Sequence, residues 1–440
     1  MVKKIITVFL SILIIFSCSI PVFAFEPSGF SVNAKTALLV SMDTDEVLYA
    51  KNENAKVYPA SITKIMTVIL MLESDIYDEN AKVAMTKEVQ KLISGTDSSV
   101  SNLKIGEEVT HLDLVYMVLM SSFGDCAYLA AITFGGSVDG FVDMMNQKAQ
   151  KLGLKGTHYT TPVGLHEIGN YTTAHDTYKL ATYALKNPTF KKGCESTRYT
   201  VPATNMSGSR TISTTNFLQD NTTNYYYSYA KGVKTGYTDE AGRCLVSTAS
   251  YNGYNYMCIL FGCTPNAGTR YEFVDSKNLY RWAFNNFAFK NIADDENPVC
   301  EVPVELSLQT DFISLYVQKS FISVLPKDAD ASTITIKPHT KAKSIDAPIK
   351  KGDVLGTADI IYAEKVIGTV NLVSGENVKR SNILFVWRGI KNVFSSIYMK
   401  IIYVVAAIVV LVFIIAVIKM NSKRANKRKV KYIPYDENRK

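Results

Sequence analysis

The chain has 440 residues, 47% of them hydrophobic, which is ample for folded cores and too long for one compact domain. Its net charge of +8 sits at the ends: residues 419–440 hold nine Lys/Arg and two Asp/Glu, and Lys3 and Lys4 add two more cations. What lies between carries 37 basic and 38 acidic side chains, which excludes a basic, nucleic-acid-binding body.

In chain order, Lys3 and Lys4, the apolar stretch after them and the small-residue sequence Val22-Phe23-Ala24 read as a secretory signal over residues 1–24. Residues 36–40 and 47–49 are strand-like across a turn at Asp43-Thr44-Asp45. After Pro59, Ile62, Ile65, Met66, Ile69 and Leu70 recur at helical spacing, which predicts a helix over 61–72 with one apolar stripe. Residues 112–134 and 139–152 also read as helices, the first broken at 121–125. From about residue 232 the pattern turns to β, with strands at 232–236, 244–250 and 254–262. Asn252-Gly253 makes a hairpin between the last two. A helix over 275–287 closes the unit. Helices inserted in an antiparallel sheet describe an α+β domain over residues 30–290.

Composition shifts at 294–298. Residues 298–378 alternate in the β manner and predict a small all-β, sandwich-like domain. Residues 382–398 carry Ile383, Phe385, Val386, Ile390, Val393 and Phe394, an amphipathic pattern suited to a membrane surface. Residues 401–418 are uncharged and apolar. At about 1.5 Å per residue they reach roughly 27 Å, enough to cross the hydrocarbon layer. The basic tail of 419–440 marks the cytoplasmic side, so the body is expected outside the cell. Past the signal there are six cysteines, with no C-x-x-C pair to suggest a structural metal and no framework of disulfide spacings; buried free thiols are expected at Cys258 and Cys263. No cofactor is expected.

Chemistry concentrates at Ser61-Ile62-Thr63-Lys64 and Lys234-Thr235-Gly236. Residues three apart share a helix face, so the Ser61 hydroxyl and the Lys64 amine are expected to touch. A serine hydroxyl needs a base to become nucleophilic, and lysine serves when burial or a second cation lowers its pKa. Lys234 is a candidate for that second cation. Serine acyl-transfer enzymes combine S-x-x-K with a later K-T-G, and a serine between helices, here Ser122, completes the set.

With these motifs the chain resembles the serine D-alanyl-D-alanine carboxypeptidases, the low-molecular-mass penicillin-binding proteins. The resemblance extends through Gly106-Glu107, Thr110, Asp113-Leu114, Thr161-Pro162-Val163-Gly164-Leu165, Thr172-Thr173-Ala174-His175-Asp176 and Gly232 to Thr238. In the second domain it includes Ala347-Pro348-Ile349-Lys350-Lys351-Gly352-Asp353. It implies a penicillin-binding, β-lactamase-like transpeptidase fold. It also implies that Ser61 attacks the terminal D-Ala-D-Ala bond of a peptidoglycan stem peptide, with Lys64 as base and Ser122 as proton relay. Lys234 and Thr235 would bind the carboxylate, and the backbone N–H groups of Ser61 and Tyr237, beyond Gly236, would form the oxyanion hole. β-Lactams would acylate the same serine.

The second motif departs from the family's Ser-x-Asn: here it is Ser122-Phe123-Gly124, so the carboxamide is missing. If that is a handicap, Gly124→Asn should speed acylation. A catalytically impaired, peptidoglycan-binding or partner-binding protein is therefore the alternative. A β-lactamase is a third reading, against which stands the lack of a Glu-x-x-Leu-Asn segment. His158, His166 and His175 are expected to be structural.

Overall fold

The computed structural model describes residues 25–427 apart from Ser28 and residues 265–267. The secretory signal of residues 1–24 and the end of the basic tail lie outside the described residues. The chain divides into two units. One runs to Ile292 and takes back Ile322–Thr333; the other holds Ala293–Phe321 and everything from Ile334.

The first unit begins with the hairpin β1 (Thr36–Ser41) and β2 (Val47–Lys51), then a 3-10 turn (Ala60–Thr63) leading into α1 (Lys64–Leu72). There follow β3 (Lys82–Ala84), α2 (Lys87–Ile93), β4 (Glu108–Thr110), α3 (His111–Met120), α4 (Gly124–Gly135), α5 (Val138–Lys151), α6 (Ala174–Ala184) and α7 (Pro188–Glu195). The chain then runs through β5 (Arg198–Val201) and β6 (Arg210–Ser213) to β7 (Ala230–Thr238), β8 (Gly242–Tyr251), β9 (Tyr254–Cys263), α8 (Tyr271–Asn286) and β10 (Phe287–Ala293).

Its centre is a five-stranded antiparallel sheet of order β2-β1-β9-β8-β7. Side chains alternate across it. Leu38, Val40, Val246 and Ile259 join the core of the helices α1, α3 and α4, whereas Leu39, Leu245 and Leu260 pack with Phe273, Leu279 and Tyr280 of α8. With both faces covered, β8 and β9 read as nearly continuous apolar runs instead of alternating ones. Their hairpin turns at Asn252 (φ 50°) and Gly253 (φ 82°), the positive-φ pair expected of Asn-Gly.

Helix α1 differs from its expected single stripe. Every residue from Lys64 to Met71 is buried, because neighbouring helices enclose it on all sides. The break between α3 and α4 falls at Ser121–Phe123, as the sequence suggested. The tyrosines 225–227 lie in a loop, with Tyr225 and Tyr227 packed into the α8 side of the core.

The second unit contains β11 (Pro298–Glu305), β12 (Phe312–Val317), β13 (Phe321–Pro326), β14 (Ile334–Thr340), β15 (Ile345–Asp346), β16 (Val354–Tyr362) and β17 (Lys365–Ser374), of which β13 belongs to the first unit from Ile322 onward. Six of these strands join in one order, β14-β16-β17-β12-β11-β15. The domain is all-β as expected, but its strands are continuous because β11 pairs β12 on one edge and β15 in parallel on the other. Helix α9 (Asn382–Ser395) is N-capped by Ser381, whose hydroxyl accepts from the Leu384 N–H. It leaves Ile383, Val386, Trp387 and Ile390 exposed on an apolar face. Helix α10 (Ile397–Lys427) contains an apolar stretch, Ile397–Ser422, long enough to cross a membrane.

All six described cysteines are free thiols, five of them buried. Burial pushes the thiol pKa values up, those of Cys244 and Cys258 to about 12.

Gly164 (φ 84°) ties the loop after α5 to the 3-10 turn. A Cβ there would lie 1.9 Å from the Ala60 carbonyl oxygen, and Ala60 itself holds a positive φ of 48°. Only glycine permits both that approach and that backbone. Gly164→Ala is expected to destabilise the protein by at least about 1–3 kcal/mol. The check is the denaturant midpoint, which should fall well below that of the parent chain.

Candidate active site

The 3-10 turn runs directly into α1, which puts Ser61 one turn before the buried start of the helix. Lys64, fully enclosed, donates from Nζ to Ser61 Oγ at 2.8 Å and to the Val163 carbonyl at 2.8 Å. One turn further, Thr67 Oγ1 donates to the Pro162 carbonyl at 2.6 Å, so the Pro162–Gly164 segment is fastened along this helix. Burial lowers the Lys64 pKa from its ordinary value to about 7, against a smaller opposing pull from the Asp125 carboxylate. Among the described residues no carboxylate comes within ion-pair distance of this amine.

Lys234, on β7, is 1% exposed, and its Nζ donates to the Thr235 carbonyl at 3.2 Å. Burial takes its pKa well below the usual lysine range, and the charge on Lys64 takes it lower still. Two neighbouring buried amines without a counter-ion disfavour two simultaneous ammonium charges.

Strand β7 passes beside the start of the 3-10 turn: a Cβ on Gly236 would lie 3.1 Å from the Ser61 nitrogen and 3.2 Å from the Pro59 carbonyl oxygen. A glycine here lets the strand edge approach the serine. Two side chains fix the strand. Asn216 Nδ2 donates to the Gly232 carbonyl at 2.7 Å, and the Thr235 and Thr215 hydroxyls lie 2.6 Å apart. Tyr237 projects outward, its hydroxyl donating to Asp239 at 2.6 Å with the Arg243 guanidinium over its ring.

Ser122 occupies the break between α3 and α4 at φ 62°, a left-handed backbone in a non-glycine residue, and it is nearly buried. Strain of this kind concentrates at functional sites. Asp125 follows in the first turn of α4. Its carboxylate accepts from the Ser101 N–H at 3.0 Å, the Ser101 hydroxyl at 2.5 Å and the Cys126 N–H at 2.9 Å, and so pins the 96–101 loop to the helix.

The sequence-derived residues thus converge. Ser61, Ser122, Thr235, Gly236 and Tyr237 line one cleft of about 720 Å³, and Lys64 contacts Ser61 from the interior. Other residues of the cleft wall, among them Ser98, His166, Thr215 and Arg270, were not read from the sequence as site residues. His166, expected to be purely structural, stacks edge-on against Tyr58 and still reaches the cleft. Thr215 and Arg270 stand in no motif, and only three-dimensional proximity reveals them. Arg270 donates from Nε to Glu272 at 2.6 Å and adds a cation to the wall.

A Cβ at position 124 would lie 2.1 Å from Ser98 Oγ and 3.0 Å from Ile93 Cδ1, so an asparagine there requires the Ser98 hydroxyl to move.

Residues 23–264 match the D-alanyl-D-alanine carboxypeptidase family, and residues 290–380 match the penicillin-binding protein 5 C-terminal domain. The chain is 29% identical to D-alanyl-D-alanine carboxypeptidase DacF of Bacillus subtilis, over 81% of this chain and 89% of that protein. It is 28% identical to DacA of Haemophilus influenzae, over 81% of this chain and 88% of that one. The crystal structure of penicillin-binding protein 5 from Haemophilus influenzae superposes with a TM-score of 0.64 at 25% identity, covering 81% of this chain and 100% of the other. A nucleophile-and-amine pair of this geometry, set in this fold and matched over both domains, makes the chain a member of the D-alanyl-D-alanine carboxypeptidase family of low-molecular-mass penicillin-binding proteins, a serine-type hydrolase.

Proposed function

We propose that the chain removes the terminal D-alanine from peptidoglycan stem peptides through an acyl-enzyme on Ser61. The observation that carries this reading is the 2.8 Å contact between a fully buried Lys64 amine and the Ser61 hydroxyl. With its pKa near 7, the amine is neutral in a large fraction of molecules at physiological pH and accepts the hydroxyl proton as Oγ bonds to the carbonyl carbon. The oxyanion faces the backbone N–H groups of Ser61 and Tyr237, on either side of the close approach at Gly236. Such donors are worth roughly 3–4 kcal/mol each in the transition state. Collapse of the tetrahedral species breaks the C–N bond. The proton passes from Lys64 by way of Ser122 to the leaving D-alanine amine, and water then hydrolyses the ester.

The substrate's free carboxylate binds toward Lys234 and Thr235. Entry of that anion stabilises an ammonium at Lys234, which favours a C-terminal peptide over an internal bond. β-Lactams carry a carboxylate beside a strained amide and are bound in the same manner. The impaired-enzyme alternative is not favoured, since the Ser61–Lys64 pair is intact and the membership of the family is plain. Helix α10 serves as a single membrane anchor. The basic residues after it support a cytoplasmic C-terminus, with the catalytic domain outside and export directed by the N-terminal signal.

Ser61→Ala in the detergent-solubilised chain should abolish covalent labelling by a fluorescent penicillin, while the parent chain labels stoichiometrically. Persistent labelling of the variant would remove Ser61 from the mechanism. Because the base is the deprotonated amine, kcat/KM for D-alanine release should rise about tenfold per pH unit below pH 7 and level off above it. A flat profile from pH 5 to 9 would exclude Lys64 as the titrating base. Lys234→Ala should raise KM for the pentapeptide more than it lowers kcat, and amidation of the substrate's C-terminus should erase the difference between variant and parent.

A further inference from the structure

A Cβ at Gly124 would lie 2.1 Å from the Ser98 hydroxyl oxygen and 3.0 Å from both Ser98 Cβ and Ile93 Cδ1. The loop bearing Ser98 is held there by the start of α4 itself. The Gly124 N–H donates to the Ser99 carbonyl at 2.8 Å, and Asp125 accepts from the Ser101 N–H and hydroxyl. Three contacts therefore hold the loop that carries Ser98 against the start of α4, with its hydroxyl in the space left by the missing side chain. Ser98 is half-buried, lines the same cleft as Ser61 and Ser122, and its hydroxyl has no hydrogen-bond partner among the described residues. Thr96 and Ser101 in the same loop have their hydroxyls engaged, on the Ile93 carbonyl and Asp125 respectively.

We infer that Ser98 is a substrate-positioning residue of the acyl-transfer site, presenting from the 96–101 loop the polar group that residue 124 lacks. A hydroxyl both donates and accepts. Its ligand is accordingly a backbone amide of the stem peptide on the acyl side of the scissile bond, held in register with Ser61. The proposal rests on the acyl-transfer reading and specifies how that site grips its peptide. Gly124 and Ser98 then form one unit, in which the absence of a side chain at one position is the condition for the hydroxyl at the other.

The test uses the full chain in detergent, with D-alanine release from a pentapeptide and acylation by labelled penicillin read in parallel. Ser98→Ala should lower kcat/KM for the pentapeptide about tenfold, the loss of one neutral hydrogen bond, with the thermal midpoint unchanged. Gly124→Asn should lower it roughly a hundredfold through overpacking. The double variant Ser98→Gly/Gly124→Asn, which vacates the space for a carboxamide, should recover most of what Gly124→Asn loses. A Ser98→Ala enzyme within twofold of the parent would overturn the assignment. So would a Gly124→Asn enzyme as active as the parent, or a double variant no better than Gly124→Asn. Failure of the parent chain itself to label with penicillin would instead overturn the acyl-transfer reading.

Discussion

The site depends on an amine whose charge the fold disfavours. Lys64 begins a helix enclosed on every side, and its hydrogen-bond partners among the described residues are the Ser61 hydroxyl and the Val163 carbonyl. Neither partner neutralises a positive charge, so desolvation acts on the ammonium with little relief and shifts the balance toward the neutral base. A pairing carboxylate would stabilise the charged form and disable the chemistry. The nearest influence of that kind, Asp125, spends its hydrogen-bonding capacity on Ser101 and Cys126 instead.

Around this amine the architecture is rigid by necessity. The sheet presents β7 at one edge, and a glycine at 236 eases the approach of that edge to the serine nitrogen. On the other side the Pro162–Gly164 segment is bonded along α1. Several sequence features that accompany the catalytic motifs have structural work of their own. Thr110 and Asp113 form a capping box at the start of α3, and Thr173 caps α6 by accepting from the Asp176 N–H. They set helix positions and contribute nothing to bond breaking.

Much of this was legible in the sequence because local rules governed it. The central strands, the Asn252-Gly253 hairpin, the broken helix around Ser122 and the spacing of Ser61 to Lys64 all follow from periodicity and turn chemistry. What escaped was non-local. Arg270 and Thr215 come to the cleft from loops with no distinguishing pattern, and His166 looked like an ordinary packing residue. The return of Ile322–Thr333 to the first unit is invisible to alternation, because β13 is as strand-like as its neighbours. The second motif shows the same limit: the sequence displays Gly124 without a side chain, while the Ser98 hydroxyl beside it comes from 26 residues upstream and is brought there only by the fold.

The buried thiols bear on which atom an electrophile meets. Cys126 follows Ser122 by four residues, and burial favours its neutral S–H. Sulfur is the stronger nucleophile only as thiolate. Burial disfavours that form and keeps Cys126 out of the cleft lining, so the oxygen of Ser61 is what an activated carbonyl meets there. The ester so formed exchanges with water, where a thioester would open the way to transfer onto other thiols or amines.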